Sequence, residues 1–193
     1  MKQQQETEVK LAVRNRRAIR SRLRGLGFRV VQPRHFESNA LFDFPDLRLW
    51  KARCLLRLRQ EGKRSLLTFK GTPLESRHFK IRREVETEVG DGPTLGLVLE
   101  ALGLRESFRY EKYRTVFARS ARAVRAASCV VVLDETPIGD YVELEGPEGW
   151  IDGVARRLGY RRTDYIVASY ATLYRQKCRE RGEKPAHMIF QKS

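Results

Sequence analysis

The sequence is poor in what most metal and redox sites are made of. Its 193 residues include only 3 cysteines and 3 histidines. Cys54, Cys129 and Cys178 are scattered, odd in number and nowhere spaced as Cys-x-x-Cys. They read as reduced structural thiols, not as a disulfide framework or a zinc site. His35 stands alone among polar neighbours and reads as a surface histidine. No apolar run approaches the ~18 residues of a membrane helix. The first residues carry no apolar signal-peptide segment, which predicts a cytoplasmic protein with no membrane partner. No P-loop, G-x-G-x-x-G or His-Glu-x-x-His motif occurs, so the common nucleotide-cradle and zinc-hydrolase classes have no support. Acid is also in short supply. Against 39 Lys and Arg stand 24 Asp and Glu, for a net charge of +15. That balance favours polyanionic partners: nucleic acid, phosphorylated small molecules or an anionic surface.

What the chain does have is charge at every second position. In Glu6-Thr7-Glu8-Val9-Lys10-Leu11 the charges share one face and Val9 and Leu11 the other, as period 2 requires of a strand. The same pattern returns in Leu55–Gln60 (Arg57, Arg59), Ser65–Gly71 (Thr68, Lys70), Lys80–Val89 (Lys80, Arg82, Glu84, Glu86), Phe108–Ala118 (Tyr110, Lys112, Arg114) and Tyr141–Gly146 (Glu143, Glu145). Ser128–Glu135 is almost wholly apolar and reads as a strand buried on both faces, ending in Asp134. Glu61-Gly62-Lys63 and Pro137–Asp140 are hairpin turns. Phe28–Gln32 reads as a short edge strand. His35–Asp46 reads as another, ended by Pro45, with Asp46 capping a short helix through Trp50. Helical spacing marks Asn15–Leu26, Pro93–Leu104, Pro147–Leu158 and Asp164–Arg181. The arginines of the first helix read as a solvated basic face.

So many strands with one charged face predict an α+β fold: an eight-stranded antiparallel barrel with a charged interior and helices packed outside. The inner face collects the carboxylates Glu6, Glu8, Glu84, Glu86, Asp134, Glu143 and Glu145. It also collects the cations Lys10, Arg57, Arg59, Lys70, Arg82, Lys112 and Arg114. Such an interior cannot be a dry core, because buried unpaired charges cost several kcal/mol each. Eight strands leave room for side chains and one small ligand. Arginine forks and lysines match phosphate oxygens. Carboxylates beside them would repel phosphate unless divalent cations bridge the two, and Mg²⁺ and Mn²⁺ take that oxygen-rich ligand set. The wall therefore reads as a metal-bridged polyphosphate site.

Glu6-x-Glu8-x-Lys10 resembles the ExExK signature of the CYTH superfamily, the triphosphate tunnel metalloenzymes. Arg57-x-Arg59, Lys70, Arg82-x-Glu84-x-Glu86, Lys112-x-Arg114, Asp134 and Glu143-x-Glu145 follow in the family's order across roughly residues 6 to 175. Phe42-Asp43-Phe44-Pro45-Asp46 resembles its second-strand segment, with Phe44 where Thr is common. The resemblance implies a single tunnel-barrel domain over residues 1–181, with 182–193 a loosely held C-terminal tail. It also implies a divalent metal and a small-molecule triphosphate as substrate, in a monomer or homodimer. By matched position and chemistry, Lys10, Arg57, Arg59, Lys70, Arg82, Lys112 and Arg114 would hold the phosphates. Glu6, Glu8 and Glu145 would hold the main metal, Mg²⁺ or Mn²⁺, with Glu143 and Asp134 nearby or holding a second. Glu84 and Glu86 would fix neighbouring arginines or touch metal, and Lys10 and Lys70 would orient the attacking group or assist proton transfer. The implied activity is hydrolysis of inorganic, thiamine or nucleoside triphosphate; the alternative is a class IV adenylate cyclase making cyclic AMP and pyrophosphate from ATP. A non-enzymatic polyphosphate or nucleic-acid binder is the third reading. The acidic wall counts against it and against a specific nucleic-acid partner, since nucleic-acid surfaces are dominated by cations.

Overall fold

The computed structural model describes residues 2–119 and 129–191, with side chains from residue 5 onward. Eight strands alternate in direction around a closed barrel: β1 (Lys2–Val13), β2 (Arg29–Asp43), β3 (Leu55–Glu61), β4 (Arg64–Lys70), β5 (Lys80–Val89), β6 (Arg105–Ala118), β7 (Val130–Thr136) and β8 (Gly139–Glu145). Their order is β1-β5-β4-β3-β2-β6-β7-β8, and every pairing is antiparallel. Five helices lie outside among the described residues: α1 (Arg16–Gly25), α2 (Arg48–Lys51), α3 (Gly92–Ala101), α4 (Glu148–Arg157) and α5 (Tyr170–Arg181). The expected α+β barrel is the observed one. No described helix is long and apolar enough to cross a membrane.

The apolar core lies between the barrel's outer face and the helices. Val9, Leu11, Val142 and Leu144 point outward from β1 and β8 and meet Ile19 and Leu23 of α1 and Ile151, Val154 and Ala155 of α4. Asn15 starts α1 by accepting a hydrogen bond from the Ala18 amide at 3.0 Å. A second cluster packs α3 through Leu99 onto Ala40 and Phe42 of β2. Turning the apolar half outward leaves the charged half of each strand inside, because successive side chains alternate.

Four local expectations are corrected. Phe28–Gln32 is no separate edge: β2 is continuous from Arg29, and a closed barrel has no edges. Its register shifts between Gln32 and His35, where Pro33 lacks the N–H a regular ladder needs. The short helix α2 is capped chiefly by Asp43, its carboxylate accepting from the amides of Leu49 at 3.0 Å and Trp50 at 2.8 Å, while the expected Asp46 accepts from the Arg48 amide at 3.3 Å. The last helix begins at Tyr170, not Asp164. Residues 165–169 form an extended strap in which Ile166 exchanges both backbone hydrogen bonds with Lys10 at 2.9 Å. The segment after Gly182 is docked: Met188 is fully buried and bonded to the backbone of Arg109 and Glu111. Ser128, the expected start of the apolar strand, lies outside the described residues; β7 itself is buried throughout.

Candidate functional site

Barrel register brings the alternating charges together. Glu8 stands opposite Lys80 of β5 on one side and Glu145 of β8 on the other. Glu6 faces Arg82, and Lys10 faces Glu143. Across the barrel, Lys70 pairs with Glu84, Thr68 with both Arg57 and Glu86, and Arg114 with Asp134. These strands enclose a cavity of about 670 Å³, and every expected site residue except Asp134 lines it.

One wall is acidic. Carboxylate oxygens of Glu6, Glu8 and Glu145 lie within 4.8 Å of one another. Burial pushes Glu6 up to about 8, against the pull of Lys70 and with help from Glu8, Glu84 and Glu145. Burial likewise raises Glu145 to about 7, more than Arg114 can offset. Glu8 goes the other way. Burial would raise it, but Lys10, Lys80 and Lys70 hold it well below the usual carboxylate range. Two of the three acids thus resist ionising together without a cation between them, and all offer hard oxygen donors. That set fits Mg²⁺ or Mn²⁺.

The lysines are clamped by acids. Lys10 bridges Glu8 at 3.1 Å and Glu143 at 3.2 Å, and Lys70 bridges Glu6 at 2.5 Å and Glu84 at 3.0 Å. Burial disfavours both ammonium groups, yet these carboxylates outweigh it and raise both pKa values. Asp134 is not part of the acidic trio. It accepts from Lys112 at 2.9 Å, Arg114 at 2.8 and 2.7 Å, and the Tyr170 hydroxyl at 2.8 Å. Glu143 holds Arg114 at 2.6 Å as well as Lys10.

The model of the CYTH domain family matches residues 4–156. The chain belongs to the CYTH domain family. Among solved structures, the PH1819 protein of Pyrococcus horikoshii superposes with a TM-score of 0.73 at 22% identity, covering 89% of this chain and 99% of that one. A candidate adenylate cyclase from Vibrio parahaemolyticus gives 0.72 at 20% identity over 86% and 95% of the two chains. A candidate adenylyl cyclase from Hippeastrum, described as having a dominant triphosphatase activity, gives 0.61 at 18% over 93% and 97%. At these identities the likeness is one of fold. No curated protein sequence matches the chain.

The CYTH tunnel also holds residues left out of the expected site. Lys80 contacts Glu8 at 2.7 Å. Burial, with Lys10, Lys70 and Arg82, lowers its pKa in spite of Glu8. Glu37, on β2, is wholly buried with Lys112 at 3.4 Å, Arg59 at 3.5 Å, Arg114 at 3.7 Å and His35 at 3.4 Å. Neither of its oxygens has a hydrogen bond. Tyr170 comes from α5, beyond the residues the family model matches, and its ring lies between Lys10 at 5.3 Å and Lys112 at 5.5 Å. The signal for Lys80 was its phase with Arg82; for Tyr170 there was none, since a helical tyrosine on an apolar face reads as core.

Proposed function

We propose that this CYTH domain is a divalent-cation-dependent hydrolase of triphosphates. The observation that carries it is one cavity with an acidic trio on one wall and unspent arginine donors on the others. The Nε–H groups of Arg57, Arg59 and Arg82 are buried and unbonded, and Arg82 forms no ion pair among the described residues. Guanidinium groups so placed match phosphate oxygens.

Glu6, Glu8 and Glu145 would hold the Mg²⁺ or Mn²⁺. Bound there, the cation would neutralise phosphate charge and polarise a phosphoryl oxygen. Arg57, Arg59 and Arg82 hold the phosphate chain, with Lys112 and Arg114 behind them. Lys10 and Lys70 stay protonated under their carboxylates, so they stabilise developing negative charge instead of accepting a proton. Glu84 and Glu86 keep Lys70 and Arg57 aimed. Catalysis of this kind is positioning and charge stabilisation.

Cyclisation of ATP would use the same phosphate wall. The Vibrio and Hippeastrum descriptions favour keeping it as the second reading, and the dominant triphosphatase activity ascribed to the Hippeastrum protein favours hydrolysis as the first. The test offers tripolyphosphate, thiamine triphosphate and ATP with Mg²⁺ or Mn²⁺, and follows released phosphate, pyrophosphate and cyclic AMP. Phosphate release that stops in chelator is expected. Glu8→Gln should lower it by about 100-fold or more, since even outer-shell changes cost 10–100-fold, while circular dichroism stays native. Full activity in excess chelator overturns the reading.

A further inference from the structure

Helix α3 is apolar on both of its faces. Leu95 and Leu99 turn inward and pack with Ala40 and Phe42 of β2. Thr94, Leu97, Val98, Ala101 and Leu102 turn outward and are exposed. Their spacing is i, i+3, i+4, i+7 and i+8, one continuous stripe of a helix. Leu97 is 66% exposed, Val98 47% and Leu102 67%. From Gly92 to Leu104 the only charged residue is Glu100, in a chain that is 33% charged. Helix α2 rests on the same core through Leu49. It holds Leu47 and Trp50 out to solvent, Trp50 at 58%.

Cations flank these side chains. Lys51 follows Trp50, and Arg105 follows Leu104 at the end of α3; both are exposed and form no ion pair among the described residues. Arg175 of α5 lies over the Trp50 ring at 5.8 Å. The acids nearby are mostly spent: Asp46 is held by Arg48 at 3.0 Å, and Glu106 by Arg109. A helix apolar on every side belongs in a protein interior or a membrane. A second copy of this chain is a poor cover, because two chains of +15 repel. A helix of 10 residues, about 15 Å long and about 10 Å across, also falls short of the roughly 800 Å² per partner of a stable dimer. A bilayer surface needs no shape match. Anionic headgroups answer the cations, aliphatic side chains enter the acyl boundary, and tryptophan favours that boundary.

We propose that the outer face of α3, with Leu47 and Trp50 beside it, docks this protein on an anionic membrane surface. The expectation of no membrane partner came from the want of a spanning segment, and a helix that lies in the interface needs none. The proposal is independent of the triphosphate reading of the tunnel.

The full chain is sedimented at about 150 mM salt with vesicles of phosphatidylcholine alone, and with vesicles in which phosphatidylserine makes up a quarter. It should follow the anionic vesicles and leave the neutral ones. Tryptophan emission should move to the blue on binding. Trp50→Phe should remove that shift, since the other tryptophan, Trp150, packs against the core under α1 and α4. Leu97→Ser combined with Leu102→Ser should lower partitioning about tenfold or more, the scale of apolar side chains left in water, while circular dichroism stays native. If the pair unfolds, Leu102→Ser decides alone. Lys51→Ala should lower partitioning about fivefold, the scale of one cation near an anionic surface. The exposed arginines of α1 also attract anionic vesicles, so the leucine variant decides and not binding alone. Unchanged partitioning in that variant overturns the proposal, and so does an equal blue shift in Trp50→Phe. Equal partitioning into neutral vesicles, or none into either kind, overturns it as well. A dimer seen by light scattering and abolished by the leucine variant would overturn it by assigning the face to a second copy.

Discussion

Glu37 shows at the residue scale what holds the inner cations in place. Lys112, Arg59 and Arg114 converge on it, and burial would protonate it were they not there; together they hold it well below the usual range. Removing the charge takes one carboxylate partner from each of three buried cations, while Lys112 and Arg114 keep Asp134 and Arg59 keeps Glu61. Glu37→Gln should therefore lower stability by no more than about 3–5 kcal/mol, the scale of breaking a buried ion pair from one side, read by urea denaturation. The same change has a pH signature. The Glu37 carboxylate, foremost, raises the His35 pKa above its ordinary 6.5, burial opposing and the Pro33 carbonyl assisting. A histidine raised on folding stabilises fully below its unfolded pKa and loses that contribution as pH rises through the folded one. Its NMR titration midpoint should lie above 6.5 in the native protein and fall in Glu37→Gln; an unmoved midpoint refutes the pairing. Most of the inner wall was legible because period 2 on β1, β3, β5, β6 and β8 carries it. Glu37 was not, because its neighbours invert the rule. Phe36 is 40% exposed and packs on Tyr113 outside, so hydropathy alone points the strand the wrong way round.

At the scale of elements, the misread boundaries share a cause: partners distant in sequence. β5 leaves β1 at the Glu8–Lys80 pair, so the backbone of Lys10 would be orphaned on that side. Ile166 supplies its hydrogen bonds, and that keeps residues 165–169 extended despite their helical spacing. Ser169 then caps α5, its hydroxyl accepting from the Thr172 amide at 3.2 Å, and Tyr170 enters the tunnel wall from the first turn. The hairpin of β3 and β4 needed no such help, since its alternation and its Gly62 turn are local. The last segment is the clearest contrast. A polar, Lys-containing run reads as loose, yet Met188 fills a site among Phe108, Tyr110 and Tyr170. Met188→Ala should lower stability by about 2–5 kcal/mol, measured as a fall in the denaturant midpoint. A change within ±0.5 kcal/mol, as for a surface residue, would mean the segment contributes nothing to the fold.

For the whole molecule, charge is split between two places with different uses. The chain carries +15, but most of the tunnel cations are matched by carboxylates within 4 Å. Arg17, Arg24 and Arg29 are exposed on α1 and the start of β2, outside the tunnel. They form no ion pair among the described residues and attract any polyanion. The tunnel cations come from β1, β3, β4, β5 and β6, so they surround a short anion instead of following a long one. Each phosphoryl group that reaches them adds charge-assisted hydrogen bonds worth ~1.5–3 kcal/mol before desolvation. Affinity should therefore climb from mono- to di- to triphosphate, in steps larger than salt can erase. Oligonucleotide held on the outer arginines should weaken steeply with salt, as counterion release dictates. Competition at about 150 mM salt, near a Debye length of about 8 Å, separates the two. Labelled triphosphate should stay bound against an equal concentration of single-stranded oligonucleotide lacking a terminal triphosphate, and unlabelled triphosphate should displace it. Displacement by the oligonucleotide would assign the cations to a nucleic-acid surface and leave the acidic trio without a use.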